Sequence, residues 1–200
     1  MDIIKEPDIK RVQCKAVVLG VSAGGFHALS AVLPYLDRAL PVPVFVVQHL
    51  SPLADTFLVE HLQEICQVEV KPAEDKETPR PAVIYLAPPD YHLLIEADYS
   101  LALSLEDRVN YSRPSIDVLF ESAAEVYFDT LIGVIMTGAN TDGSKGLVKI
   151  KRCGGLTVVQ APETAEVDIM PRSAIESVEV DYIVPLDKLG VFLNMMIMGQ

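Results

Sequence analysis

A serine set among glycines is the first group in this chain with the surroundings of a nucleophile. Gly20-Val21-Ser22-Ala23-Gly24 is a G-x-S-x-G pattern that follows an apolar run and precedes a helix-periodic one. That is the strand–turn–helix context of a nucleophile elbow, in which glycines allow a turn too sharp for side chains. A serine hydroxyl needs a base within hydrogen-bond reach and a third group to orient that base. His49 ends the second apolar run, and Asp142 lies in the turn after the most hydrophobic run, 131–136. Each residue also has a plainer reading. Ser22 could cap the helix, His49 could be a satisfied structural histidine, and Asp142-Gly143 is a common turn pair. Three buried strands delivering Ser, His and Asp to one rim are harder to attribute to chance, and together they favour a triad for acyl transfer.

The elements that must position these residues follow from short apolar runs with helical stretches between them. Strands are expected at 16–20, 44–47, 82–86, 131–136, 156–159 and 182–184, and helices at 24–36, 53–66, 114–127 and 143–153. A further short helix lies between the last two strands, and another closes the chain. Residues 93–96 and 101–105 suggest an antiparallel hairpin across 97–100. The charged, proline-containing stretch 71–81 reads as a surface loop. Strand–helix alternation predicts a doubly wound α/β domain: a mostly parallel sheet, helices on both faces, one antiparallel hairpin, and a ligand site at the carboxyl ends of the strands. A polar leader, 1–15, would precede a single domain over 16–200.

Composition excludes several classes. A formal charge of −12 with no basic run argues against nucleic acid. No run reaches the roughly 18 apolar residues of a membrane span, and the start has no apolar core of a signal peptide, so a cytoplasmic protein without membrane insertion is expected. Cys14, Cys66 and Cys153 are far apart and form no CxxC or Cys/His cluster. Neither a metal site nor a disulfide framework is expected, and no cofactor. A dinucleotide fold would need glycine where Ser22 stands, and a P-loop would need Gly-Lys-Ser/Thr. The usual α/β-hydrolase order Ser–acid–His fails because the last histidine, His92, precedes Asp142.

The chain resembles the catalytic domain of the chemotaxis protein-glutamate methylesterases (CheB type) from about Ala16 to the C-terminal helix. The resemblance rests on ordered motifs. They are Gly20-Val21-Ser22-Ala23-Gly24-Gly25, Val46-Val47-Gln48-His49-Leu50, the run 85–93 ending in His92-Leu93, the run 112–120 beginning Ser112-Arg113-Pro114, the run 136–143 containing Asp142, and the run 165–172 containing Met170-Pro171. It implies Ser22 as nucleophile, His49 as base and Asp142 as orienting carboxylate. It implies an oxyanion hole from the backbone N–H groups of Ala23 and Ala139, and substrate contacts from Arg113, His92 and Met170. The implied substrate is a glutamate γ-methyl ester on a chemoreceptor cytoplasmic helix, with glutamine deamidation as related acyl chemistry.

Two stretches depart from the family pattern. Ala139-Asn140 stands where Met-Gly is usual, and Asp168-Ile169 precedes Met170-Pro171 where glycine is usual before Met-Pro. They motivate an alternative, a non-enzymatic adaptor that keeps the fold and binds receptors. Many relatives carry an N-terminal receiver domain. Only about 15 residues precede the first strand here; if the chain is complete, either constitutive activity or control by a separate regulatory protein is expected.

Overall fold

Apolar residues with little room for water on either side build the centre of the sheet. Val17, Val18, Leu19 and Val21 lie in the first strand, β1 (Ala16–Val21), which is buried along its whole length. A strand that alternates poorly but is buried on both faces belongs inside a parallel sheet covered by helices. The computed structural model, which describes residues 13–51 and 56–199, has that architecture.

Following β1 come α1 (Gly25–Val32), β2 (Val44–Gln48), α2 (Phe57–Ile65), β3 (Glu69–Pro72) and β4 (Val83–Leu86). Then come β5 (His92–Ile95), β6 (Leu101–Ser104), α3 (Ile116–Tyr127), β7 (Leu131–Ile135) and α4 (Ser144–Arg152). The chain continues through β8 (Leu156–Gln160), α5 (Ile169–Ser177), β9 (Tyr182–Val184) and α6 (Leu186–Met198). Seven strands form one sheet in the order β3-β4-β2-β1-β7-β8-β9, every pair parallel. The hairpin β5–β6 is a separate antiparallel sheet.

Alternate side chains of β1 enter two cores. Val17, Leu19 and Val21 pack with Leu29 of α1, Leu62 of α2 and Phe192 of α6. Ala16 and Val18 pack with Leu119 and Phe120 of α3, Ile150 of α4, Ala174 of α5 and Leu93 of the hairpin. Helices therefore cover both faces. The chain leaves β1 toward β2 on one side, and β7 lies on the other, so β1 marks the point where strand order reverses. Open α/β sheets hold their ligand crevice at such a point.

Three details depart from the sequence reading. The stretch 71–81 is not wholly a loop, because Glu69–Pro72 pairs with β4 as the outer strand of the sheet. Its exposed and partly buried residues, and a proline that donates no ladder bond, suit an edge position. The first helix stops at Val32 and passes into a 3-10 turn, Leu33–Tyr35, because Pro34 has no N–H to continue the ladder. The second helix begins at Phe57, and Leu53, where the sequence would begin it, lies outside the described residues. So does most of the expected leader.

Burial pushes the Cys14 thiol up to about 12 and the Cys66 thiol to about 11, so both are inert at neutral pH. Among the described residues no group of three His, Cys, Asp or Glu side chains could hold a metal. No helix among them is long and apolar enough to cross a membrane.

Candidate active site

β2, β1 and β7 lie side by side, and their carboxyl ends carry Ser22 just after β1, His49 just after β2 and Asp142 in the turn after β7. Ser22 Oγ lies 3.2 Å from His49 Nδ1, and His49 Nε2 lies 2.9 Å from Asp142 Oδ2. A carboxylate only accepts, so Nε2 carries the proton and Nδ1 presents its lone pair to the serine. The ring is used the opposite way round from triads in which Nε2 faces the serine. Either nitrogen can carry the one in-plane lone pair of the neutral ring, depending on the tautomer, so the acid–base chemistry is the same.

Local backbone explains why Ser22 is available. Its N–H donates to the Thr137 carbonyl at 2.9 Å and its carbonyl accepts from Gly25 N. The reversal into α1 falls on Gly24, at φ +78°, a conformation that L side chains avoid. Ser22 itself does not have positive φ. No side chain caps α1, so the serine hydroxyl is not used as a cap. Thr137 joins the two turns: its Oγ1 donates to Ala23 O at 2.8 Å and accepts from Val167 N at 2.9 Å. Gln48, 7% exposed, donates from Nε2 to the carbonyls of both Ser22 and His49 at 2.9 Å.

Asp142 is 1% exposed and heavily satisfied. It accepts from Ser115 Oγ at 2.9 Å, Ile116 N at 2.7 Å, Asp117 N at 3.1 Å and Asn110 Nδ2 at 3.1 Å, besides His49. Two of these donors are first-turn N–H groups of α3, so Asp142 caps that helix from another part of the chain. Burial alone would raise its carboxyl. The His49 bond and the donors from α3 and Asn110 outweigh that and hold it down at about 2. Its neighbour Asp117 goes the other way, to about 6. Burial is the main cause and the Asp142 charge adds to it, against donation from Gly146 N and Asn110.

The remaining residues singled out from sequence are distributed as follows. The N–H groups of Ala23 and Ala139 have no acceptor among the described residues, as an oxyanion hole requires. Met170 is wholly buried and packs under the turn after β7, where a Cβ on Gly138 would come within 1.9 Å of its sulfur and 2.9 Å of Ser22 Cβ. His92 is 2% exposed, its Nδ1 accepting from Ser115 N and its Nε2 facing Asp107 O, so neither ring nitrogen is left for a ligand. Arg113 pairs with Asp90 at 2.9 Å and donates to the carbonyls of Leu105 and Glu106. It also lines a small cavity with His49. A larger cavity of about 460 Å³ opens beside Ser22, lined by Phe26, His27, Leu50, Phe57, Leu58 and Glu166 among others.

Asn110, Ser115, Asp117 and Gln48 do not stand out in the sequence as site residues. Pro114 does carry a signal: it reads as a helix start, and a helix start is where a buried carboxylate finds donors.

Residues 17–193 match the CheB methylesterase family. A Leptospira interrogans protein provisionally named protein-glutamate methylesterase/protein-glutamine glutaminase is 53% identical over 88% of this chain and 91% of its own length. A Thermotoga maritima protein-glutamate methylesterase/protein-glutamine glutaminase is 38% identical over 89% of this chain, which spans 53% of that longer protein. The crystal structure of the Thermotoga maritima CheB methylesterase catalytic domain superposes with a TM-score of 0.88 at 37% identity, covering 92% of this chain and 100% of that one. With the fold and the sequence in agreement, the chain belongs to the CheB methylesterase family.

Proposed function

We propose that this chain is a protein-glutamate methylesterase, a serine hydrolase that converts glutamate γ-methyl esters on chemoreceptor cytoplasmic helices to glutamate and methanol. The observation that carries the proposal is the continuous chain from Ser22 Oγ through both nitrogens of His49 to Asp142. Ser22 Oγ attacks the ester carbonyl carbon while its proton passes to His49 Nδ1. The carbonyl oxygen, now negative, takes donation from the N–H groups of Ala23 and Ala139. Collapse breaks the bond to methoxide, which leaves as methanol with the proton from Nδ1. A water then gives its proton to Nδ1 and attacks the acyl carbon, and Ser22 departs with that proton restored.

Asp142 keeps Nε2–H fixed throughout and stabilises the imidazolium, without taking the proton itself. The same steps with ammonia as leaving group deamidate glutamine. The names of relatives from two organisms, both an esterase and a glutaminase, support this reading over a binding role. The catalytic unit spans residues 16–200 and works in the cytoplasm, where receptor signalling helices lie. Methanol release from methyl-esterified receptor fragments tests the proposal. Wild type releases it, and Ser22→Ala lowers kcat by on the order of 10⁶. Equal turnover by the two proteins would remove Ser22 from the mechanism.

A further inference from the structure

Asn140 occupies a position that the reading of Ser22 and His49 as nucleophile and base does not use. Its side-chain Oδ1 accepts from the backbone N–H of Asp142 at 3.1 Å. Only the oxygen end of an amide can accept there, so the NH₂ end is the one that faces His49, with Nδ2 3.4 Å from Nδ1. That nitrogen is the one that must take the proton of Ser22, whose Oγ approaches it at 3.2 Å. Nε2 is already committed to Asp142. Two donors therefore converge on the single lone pair of the neutral ring.

We infer that Asn140 is a positioning residue that acts through His49, favouring its neutral, proton-accepting form and extending esterase activity to lower pH. An N–H aimed at Nδ1 is favourable while the nitrogen holds a lone pair and unfavourable once it holds a proton, so it selects the uncharged imidazole. The other charged groups around the ring and Ser22 belong to different elements. Asp142 touches it from the turn after β7, and Asp117 of α3 is joined to Asp142 through Asn110. Arg108 and Arg113, from the segment before α3, line the small cavity with it. Glu166, before α5, lines the larger cavity beside Ser22.

Two variants separate this role from simple support of the turn. Asn140→Ala removes the donor. Asn140→Asp keeps an oxygen for the Asp142 N–H but turns an acceptor toward Nδ1. The acid limb of the pH profile of kcat/KM is expected to move to higher pH in Asn140→Ala and further in Asn140→Asp. At a fixed acidic pH the alanine variant should fall below wild type by roughly 3- to 10-fold, the worth of one neutral hydrogen bond, with the plateau at higher pH much less affected. The NMR titration of the His49 ring should move in the same order. A role confined to holding the turn predicts that Asn140→Ala shares the acid limb and ring titration of wild type, while Asn140→Asp moves both through its added charge alone. That result, or coincident acid limbs and ring titrations in all three proteins, would overturn the inference. If wild type hydrolyses no glutamyl ester, the proposed function fails instead, and the ring titration alone decides the role of Asn140. If the alanine variant does not fold, Asn140→Gly, which also lacks the donor and adds no charge, carries the comparison with wild type.

Discussion

Asp142 is the residue on which the site and the fold depend together, since the carboxylate that orients His49 also caps α3. Replacing it with Asn puts an NH₂ group among donors and removes the charge that holds the ring. Turnover should then fall by about 10⁴, and the melting temperature should fall with it, because α3 loses its cap. A variant with unchanged Tm would separate the two roles. Asp117 and Asp142 have opposite linkage. Asp142 is held at about 2 against an ordinary 3.8, so its stabilisation is present above about 3.8 and is lost as pH falls through 2. Asp117 lies at about 6, so the folded protein binds its proton more tightly than the unfolded chain does. The stability it contributes is full below about 3.8 and is lost as pH rises through 6. Asn cannot titrate, so Asp117→Asn should flatten the decline in Tm between about pH 4 and about pH 6. Parallel Tm curves for variant and wild type would assign that slope to other groups.

At the scale of elements, catalysis depends on how closely the turns after β1 and β7 approach. Gly138 has no side chain where the Met170 sulfur and Ser22 Cβ crowd in, 1.9 and 2.9 Å from the place a Cβ would take. Gly138→Ala must push one of them aside. A displacement near 1 Å at a nucleophile costs about 100-fold, so kcat should drop by that order while the Tm falls modestly; near-normal turnover would show that the turns have slack. The sequence displays much of this arrangement. Runs at 16–20, 44–47 and 131–136 are apolar enough to mark buried parallel strands, and strand ends are where such sheets keep their ligands. The support of Asp142 is less visible. Asn110, Ser115 and the α3 N–H groups converge on it from 25 to 32 residues away, and no local periodicity encodes a contact of that kind. Strand β3 is hidden for a different reason, because an edge strand with half its residues in water has no apolar run to reveal it.

Over the whole molecule, the two cores on opposite faces of the sheet fix β1, and β1 fixes Ser22 between its partners. The architecture leaves one rim where the ends of three neighbouring strands meet an open cavity, and the proposed chemistry needs no other group to complete it. Labelling with a fluorophosphonate, which reacts with an activated serine, tests that claim most directly. The account predicts one adduct per chain, located on Ser22 by peptide mass, absent from Ser22→Ala and strongly slowed in His49→Ala. Labelling at another residue, or at an undiminished rate without His49, would contradict it.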